Sequence, residues 1–246
     1  MIGGYTAGCL AGAGRLDLEG PGFQVMRPSR NRYYGHPRLV AFVEHLGHQA
    51  LERGWGRVLV GDMAQPRGGP TDFGHRSHQS GLDVDIWFRL LPPGAPALPR
   101  SDADEAPMNP VVRAEVGRLD PTRWSPRFGA LVRAAASAEE VERIFVHPVI
   151  KRELCRASGG DRTWLRKVRP YWGHDSHFHV RLSCPPDSPR CAPQDPVPPG
   201  DGCDQDLDRW IEDLRIAASR PAPRPPPPAR PPLPAACTGV LPGSRG

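Results

Sequence analysis

The C-terminal end of the chain limits the fold more than any other feature. From about Ala217 it reads "ASRPAPRPPPPARPPLPAACTGV", a polyproline II composition that stays extended and cannot close a core. Residues 217–246 are therefore expected to form a tail. Residues 1–216 are expected to form one domain, since 246 residues support one sizeable core. Cys237 lies beyond the prolines, so a disulfide would tie the tail back to the body and make the prolines a stiff strap.

Cys9, Cys155, Cys184, Cys191, Cys203 and Cys237 form an even set with no CxxC pair, which favours disulfides over zinc–thiolate or redox chemistry. The opening "MIGGYTAGCLAGAG" has no charged stretch followed by an apolar one, so no signal peptide is visible. The cysteines weigh more and point to an oxidising compartment. No run of about 18 apolar residues is present, so no transmembrane segment is expected. The net charge of +5 suits an anionic partner, whether nucleic acid, anionic lipid or an acidic cell-wall polymer. Arg and Lys are scattered without interleaved aromatics, so nucleic acid is not the expected partner.

In "HPRLVAFVEHLGHQALERG", Leu39, Val43, Leu46 and Ala50 recur at spacings of three and four, which predicts a helix with one buried face. "RVLVGD", Arg57 to Asp62, reads as a strand, and a long Gly/Pro-rich loop leads into a second strand, "LDVDIWF". Residues 89–126 lack periodicity and read as an irregular excursion over the surface. Helix, strand and helix follow in "RFGALVRAAASAEEV", "ERIFVH" and "PVIKRELCRAS", then a short helix in "RTWLRKV" and a strand in "HFHVRL". Without a regular βαβ repeat, this mixture predicts an α+β domain with a small, mainly antiparallel sheet and flanking helices.

Two histidine-rich stretches carry the chemistry, "GHRSHQSGLDVDIWF" (Gly74 to Phe88) and "GHDSHFHVRL" (Gly173 to Leu182). Five of the nine histidines fall in them. Alternate strand residues share a face, so Asp83 points with Asp85 and His177 with His179. A catalytic zinc site uses three protein nitrogen or carboxylate ligands and keeps one position open. His78 and Asp85 are candidate ligands. His75 is either a further ligand or a support. If the strands are neighbours, His179 joins them, and His177 or His174 is left to move protons. His36, His45, His48 and His147 read as structural.

Six blocks in order, "YYGHPRLVAFVEHL", "LVGDMAQPRGG", "GHRSHQSGLDVDIW", "RIFVHPVIKRELC", "DRTWLRKVRPYWGHDSHFHVRLSCP" and "GDGC", resemble the penicillin-insensitive murein endopeptidases. These belong to the wider lysostaphin, D-Ala-D-Ala peptidase and hedgehog group of zinc folds, and the resemblance runs from Gly3 to Trp210. It implies a periplasmic zinc peptidase that cuts the D-alanyl to meso-diaminopimelyl cross-link between peptidoglycan peptides. By position it implies metal ligands His78, Asp85 and His179, a further metal-facing His75, and proton transfer by His177 with His174 close by. It also implies the disulfides Cys9–Cys237, Cys155–Cys203 and Cys184–Cys191. Where relatives can hold a second ion, this chain reads "RAEVGRLDPTRW" and has no histidine, so one catalytic zinc is expected.

Arg166, Lys167 and Arg169 are candidates to meet substrate carboxylates, and Gly68 and Gly69 to let an extended peptide approach. The rival readings are a D-Ala-D-Ala carboxypeptidase with the same metal site and a non-catalytic cell-wall-binding protein.

Overall fold

Helix formation follows the apolar spacing. Five helices occur among the described residues: α1 (Pro37–Glu52), α2 (Arg100–Glu105), α3 (Pro126–Ser137), α4 (Pro148–Ala157) and α5 (Gln205–Ser219). In α1 the buried face is Leu39, Phe42, Val43, Leu46, Gly47 and Ala50. His36 precedes Pro37 and caps the helix, its Nδ1 accepting from the Arg38 N–H at 3.2 Å. The same His–Pro device starts α4, where His147 Nδ1 accepts from the Val149 N–H at 3.2 Å. Proline at the first position gives up an N–H that would lack a helical partner, and the histidine satisfies the next one. The structure is a computed structural model and describes residues 1–72, 75–219 and 229–241.

Seven strands form the main sheet: β1 (Glu19–Gly20), β2 (Phe23–Val25), β3 (Arg57–Val60), β4 (Asp83–Leu91), β5 (Val141–Val146), β6 (Val168–Pro170) and β7 (His177–Leu182). Their spatial order is β6-β5-β7-β4-β3-β2-β1. The β5–β6 and β2–β3 pairs are parallel and the other four antiparallel, so the domain is α+β with a mainly antiparallel sheet.

The two central strands set the plan of the molecule. In the β7–β4 pair His177 lies opposite Trp87, His179 opposite Asp85 and Arg181 opposite Asp83. The intervening Val84, Ile86, Phe88, Phe178, Val180 and Leu182 are all buried in the main core, with the apolar faces of α1, α3 and α4. Strand alternation thus gives one face to the core and leaves the other to charged and imidazole groups.

Two segments differ from the sequence expectation. The excursion 89–126 is not confined to the surface: it contains α2, and Ala103, Val111 and Val112 are buried. Val111 is drawn in by its backbone N–H, which donates to Asp175 O at 2.8 Å. Helix α5 has no counterpart in the pattern reading, and its buried residues are Leu207 and Ile211.

All six cysteines are paired, as Cys9–Cys237, Cys155–Cys203 and Cys184–Cys191. Three disulfides fit an oxidising, extracytoplasmic compartment. Among the described residues no helix is long and apolar enough to cross a membrane. The proline run within 220–228, read above as a strap, lies outside the described residues, as do Phe73 and Gly74.

Candidate metal centre

The register that pairs β4 with β7 brings together stretches almost a hundred residues apart. Asp85 lies at the centre. Its Oδ1 is 3.1 Å from His179 Nδ1, 3.4 Å from His78 Nε2 and 3.6 Å from His177 Nε2, and its Oδ2 is 3.3 Å from His75 Nε2. His174 completes the cluster, its ring centroid 5.0 Å from that of His177. All five histidines of the two stretches therefore occupy one site.

His78 arrives on the loop before β4 with φ 65°, a left-handed conformation uncommon for a non-glycine residue and typical of functional strain. Asp83 holds it there, Oδ2 accepting the His78 backbone N–H at 2.9 Å. The other oxygen of Asp83 lies 3.0 Å from His179 Nε2 and accepts from Arg181 Nε at 2.7 Å. With Nε2–H committed to Asp83, Nδ1 is the His179 nitrogen left to face Asp85, 3.1 Å from its Oδ1.

Electrostatics follow from burial. Burial alone would raise the Asp85 carboxyl, but His177, His75 and His78 outweigh it and hold its pKa well below the ordinary range. Burial disfavours the protonated form of His179, yet Asp83 and Asp85 together raise its pKa. Burial pushes His78 and His177 down. His174 is pushed down to about 3 by burial, with His177 and His179 adding to the effect. Its Nδ1 lies 3.0 Å from Trp172 O, an acceptor, so Nδ1 carries the hydrogen and Nε2 the lone pair.

Both ring nitrogens of His78 are buried without a hydrogen-bond partner among the described residues. A buried imidazole left so is expensive, and a cation at Nε2 would satisfy one of the two nitrogens. His75, His78 and Asp85 each offer a ligand atom, all within 4.8 Å of one another, and His179 Nδ1 adds a fourth donor beside Asp85. Imidazole with carboxylate is the donor set of a zinc-type ion. The residues therefore fit a metal.

Asp62, absent from the sequence expectation, supports the cluster. Buried just beyond β3, it accepts through Oδ2 from Arg30 and Arg32, each at 3.0 Å, and lies 3.3 Å from His75 Nε2. Its only sequence signal was an acid at the end of a strand. Gly61, beside it, lets β4 pack close: a Cβ there would come within 2.8 Å of Trp87 Nε1.

A family model for the penicillin-insensitive murein endopeptidases matches residues 1–242. The chain belongs to this family. A penicillin-insensitive murein endopeptidase of Yersinia enterocolitica is 46% identical over 242 residues, covering 98% of this chain and 84% of that protein. Proteins of the same name from Salmonella paratyphi B and Klebsiella pneumoniae are 44% identical, each covering 98% of this chain and 85% of their own length. The penicillin-insensitive murein endopeptidase family is one of metallopeptidases, in keeping with the donor set around Asp85.

Of the five further expected residues, Arg169 is not among those that line the cleft, and the other four do different work. Arg166 donates to Pro198 O and Val197 O, and Lys167 to Ala138 O. Both hold backbone and neither lines the cleft. The close approach at Gly68 and Gly69 is made by the chain itself, Gln79 O at the first and Leu241 at the second.

Proposed function

We propose that the chain is a zinc-dependent murein endopeptidase that hydrolyses the D-alanyl to meso-diaminopimelyl cross-link of peptidoglycan in the periplasm. The observation that carries this reading is the convergence of His75, His78, His177 and His179 on the buried Asp85 carboxylate at 3.1 to 3.6 Å. Family membership supports the reaction class, and three disulfides fit the compartment.

His78, Asp85 and His179 are the proposed ligands of one ion, with His75 beside them as a further metal-facing residue. A zinc ion, when bound, supplies a Lewis acid for the scissile carbonyl and lowers the pKa of water from about 16 toward 7. The chain's own residues do the rest. Asp83 fixes the His179 ring so that Nδ1 is presented. His177, partly open to the cleft with its Nε2 toward Asp85, takes the proton of the attacking water and returns it to the departing amine. His174, its Nδ1 turned to Trp172 O, presents Nε2 as a second acceptor. No serine or cysteine nucleophile takes part, so a β-lactam has nothing to acylate.

Purified protein incubated with cross-linked muropeptides tests the reading. Dimers should become monomers. Loss of a terminal D-alanine alone would indicate a carboxypeptidase, and no change despite bound zinc a non-catalytic wall-binding protein. His78→Ala or Asp85→Ala should lose both zinc and activity, whereas His177→Ala should keep zinc and lose roughly a hundredfold or more in turnover.

A further inference from the structure

Beside the histidines lies a cleft of about 240 Å³ in whose lining two arginines stand with the carboxylates Asp62 and Asp85. Arg27 and Arg30 line it together with His75, Asp85, Trp87 and His177. Arg30 is committed to Asp62 at 3.0 Å. Arg27 is held differently: its guanidinium lies 5.3 Å from the centroid of the Trp87 ring, and among the described residues no carboxylate pairs with it. Burial and the neighbouring Arg30 disfavour its charge and Asp62 partly offsets them, and an arriving anion would relieve the rest.

The backbone is bent to present this side chain. Arg27 and Asn31, both at φ 55°, flank the single turn Pro28–Arg30, and the Arg27 N–H is tied to Ala103 O at 3.0 Å. Left-handed backbone at a non-glycine residue costs about 1–2 kcal/mol, so strain is stored at the cleft wall. Trp87 follows Asp85 by two residues on the same strand face, an advance of about 7 Å, and Arg27 covers its ring. A guanidinium thus stands one pleat along from the carboxylate at the centre of the metal site.

We propose that Arg27 binds the free carboxylate on the carbon next to the amine that the reaction releases, and so selects cross-links whose diaminopimelate is not amidated. The inference rests on the murein endopeptidase reading of the same cleft. In a D-alanyl to diaminopimelyl bond this carboxylate is the one nearest the scissile amide, two bonds from its nitrogen. A guanidinium fork matches it through paired N–H donors, and a carboxamide does not. Arg27 is on this account a binding residue that sets specificity and leaves proton transfer to the histidines.

The test uses zinc-loaded wild-type protein and the R27Q variant with two muropeptide dimers, one carrying the carboxylate and one the carboxamide at that carbon. Wild type should prefer the carboxylate dimer. R27Q should lose roughly ten- to a hundredfold in kcat/KM on it, mainly through KM, and change by no more than about twofold on the carboxamide dimer. Zinc content should be equal in both proteins. Equal losses on the two substrates would assign Arg27 a structural role, and no loss on either would overturn the inference as well. If wild type cleaves neither dimer, the endopeptidase reading fails, and calorimetric binding of meso-diaminopimelate and of its diamide decides Arg27 separately. Binding of the acid that R27Q loses supports the inference; binding that is absent, or equal in both proteins, rejects it.

Discussion

Asp83 makes no contact with the cleft, yet it ties three parts of the site together. Fully buried, it accepts from the His78 backbone and from Arg181 and faces His179 Nε2. It therefore sets both the strained loop conformation of one proposed ligand and the ring orientation of another. Its charge is matched by Arg181, whose guanidinium also lies over the rings of Tyr5 at 4.1 Å and Phe145 at 5.3 Å. Asp83→Asn keeps the shape and one acceptor oxygen but leaves the Arg181 charge buried and unbalanced. Breaking a buried pair in this way costs about 3–5 kcal/mol, and loss of such an orienting group weakens metal binding by roughly ten- to a hundredfold. Urea unfolding should record the first effect and competition against a chelator the second. A variant that unfolds more easily yet retains zinc as wild type does would limit Asp83 to a structural part.

At the scale of elements, the two His–Pro helix starts make stability depend on pH. An N-cap acceptor must be unprotonated, and burial, opposed by Asp175, pushes the His147 pKa down to about 4 from the ordinary 6.5. Between pH 6.5 and 4 the unfolded chain binds a proton that the folded cap refuses, so this contribution is complete above pH 6.5 and is lost as the pH falls toward 4. His36, also shifted down by burial, acts in the same direction. His147→Asn keeps a cap acceptor that does not titrate. Its unfolding free energy, measured by urea titration, should fall less steeply than wild type between pH 6.5 and 4, and at pH 7 it should lie closer to wild type than that of His147→Ala, which loses about 1 kcal/mol. Identical slopes would remove His147 from the acid response. These elements also show what was legible in the sequence. Alternation in "LDVDIWF" put both aspartates on one face of their strand and alternation in "HFHVRL" put both histidines on one face of theirs, and the apolar spacing of α1 marked its core face. What alternation lacks is the partner: the pairing of His179 with Asp85 is a register between distant strands, and the family resemblance supplied it. Helix α5 was missed because its buried stripe is only Leu207 and Ile211, and α2 because six residues are too few for a period. Arg27, Arg30 and Asp62 stood in separate segments, and nothing local in either segment foretold their meeting with His75.

Across the whole molecule, residues 229–241 return to the loop that carries His75 and His78. The Cys9–Cys237 disulfide closes a separation of 228 residues, and it brings Val240 and Leu241 against a small cluster of Ile2, Cys9 and Cys237. From there the contacts reach the metal loop. Arg67 donates to Val240 O at 3.1 Å, Arg76 to Ala229 O at 2.9 Å, and Arg230 to Thr71 O at 2.6 Å. Gly69 has no side chain, and a Cβ there would sit 2.9 Å from Leu241. The described end of the tail, 229–241, is therefore proposed to work as part of the peptidase domain, holding Arg67, Thr71 and Arg76 so that His78 can keep its strained conformation. Replacing Cys9 and Cys237 by serine should cost about 2–4 kcal/mol, or roughly 5–15 °C in Tm for a chain of this size. The clamp predicts more than a general loss. Amide exchange in 63–81 should speed up well below the unfolding temperature, and zinc should leave faster to a chelator. Serine substitution of Cys155 and Cys203, whose disulfide joins α4 to the segment before α5, should lower Tm without either local effect. If both pairs of substitutions changed exchange in 63–81 equally, the disulfide at Cys237 would be a general brace and no clamp on the metal loop.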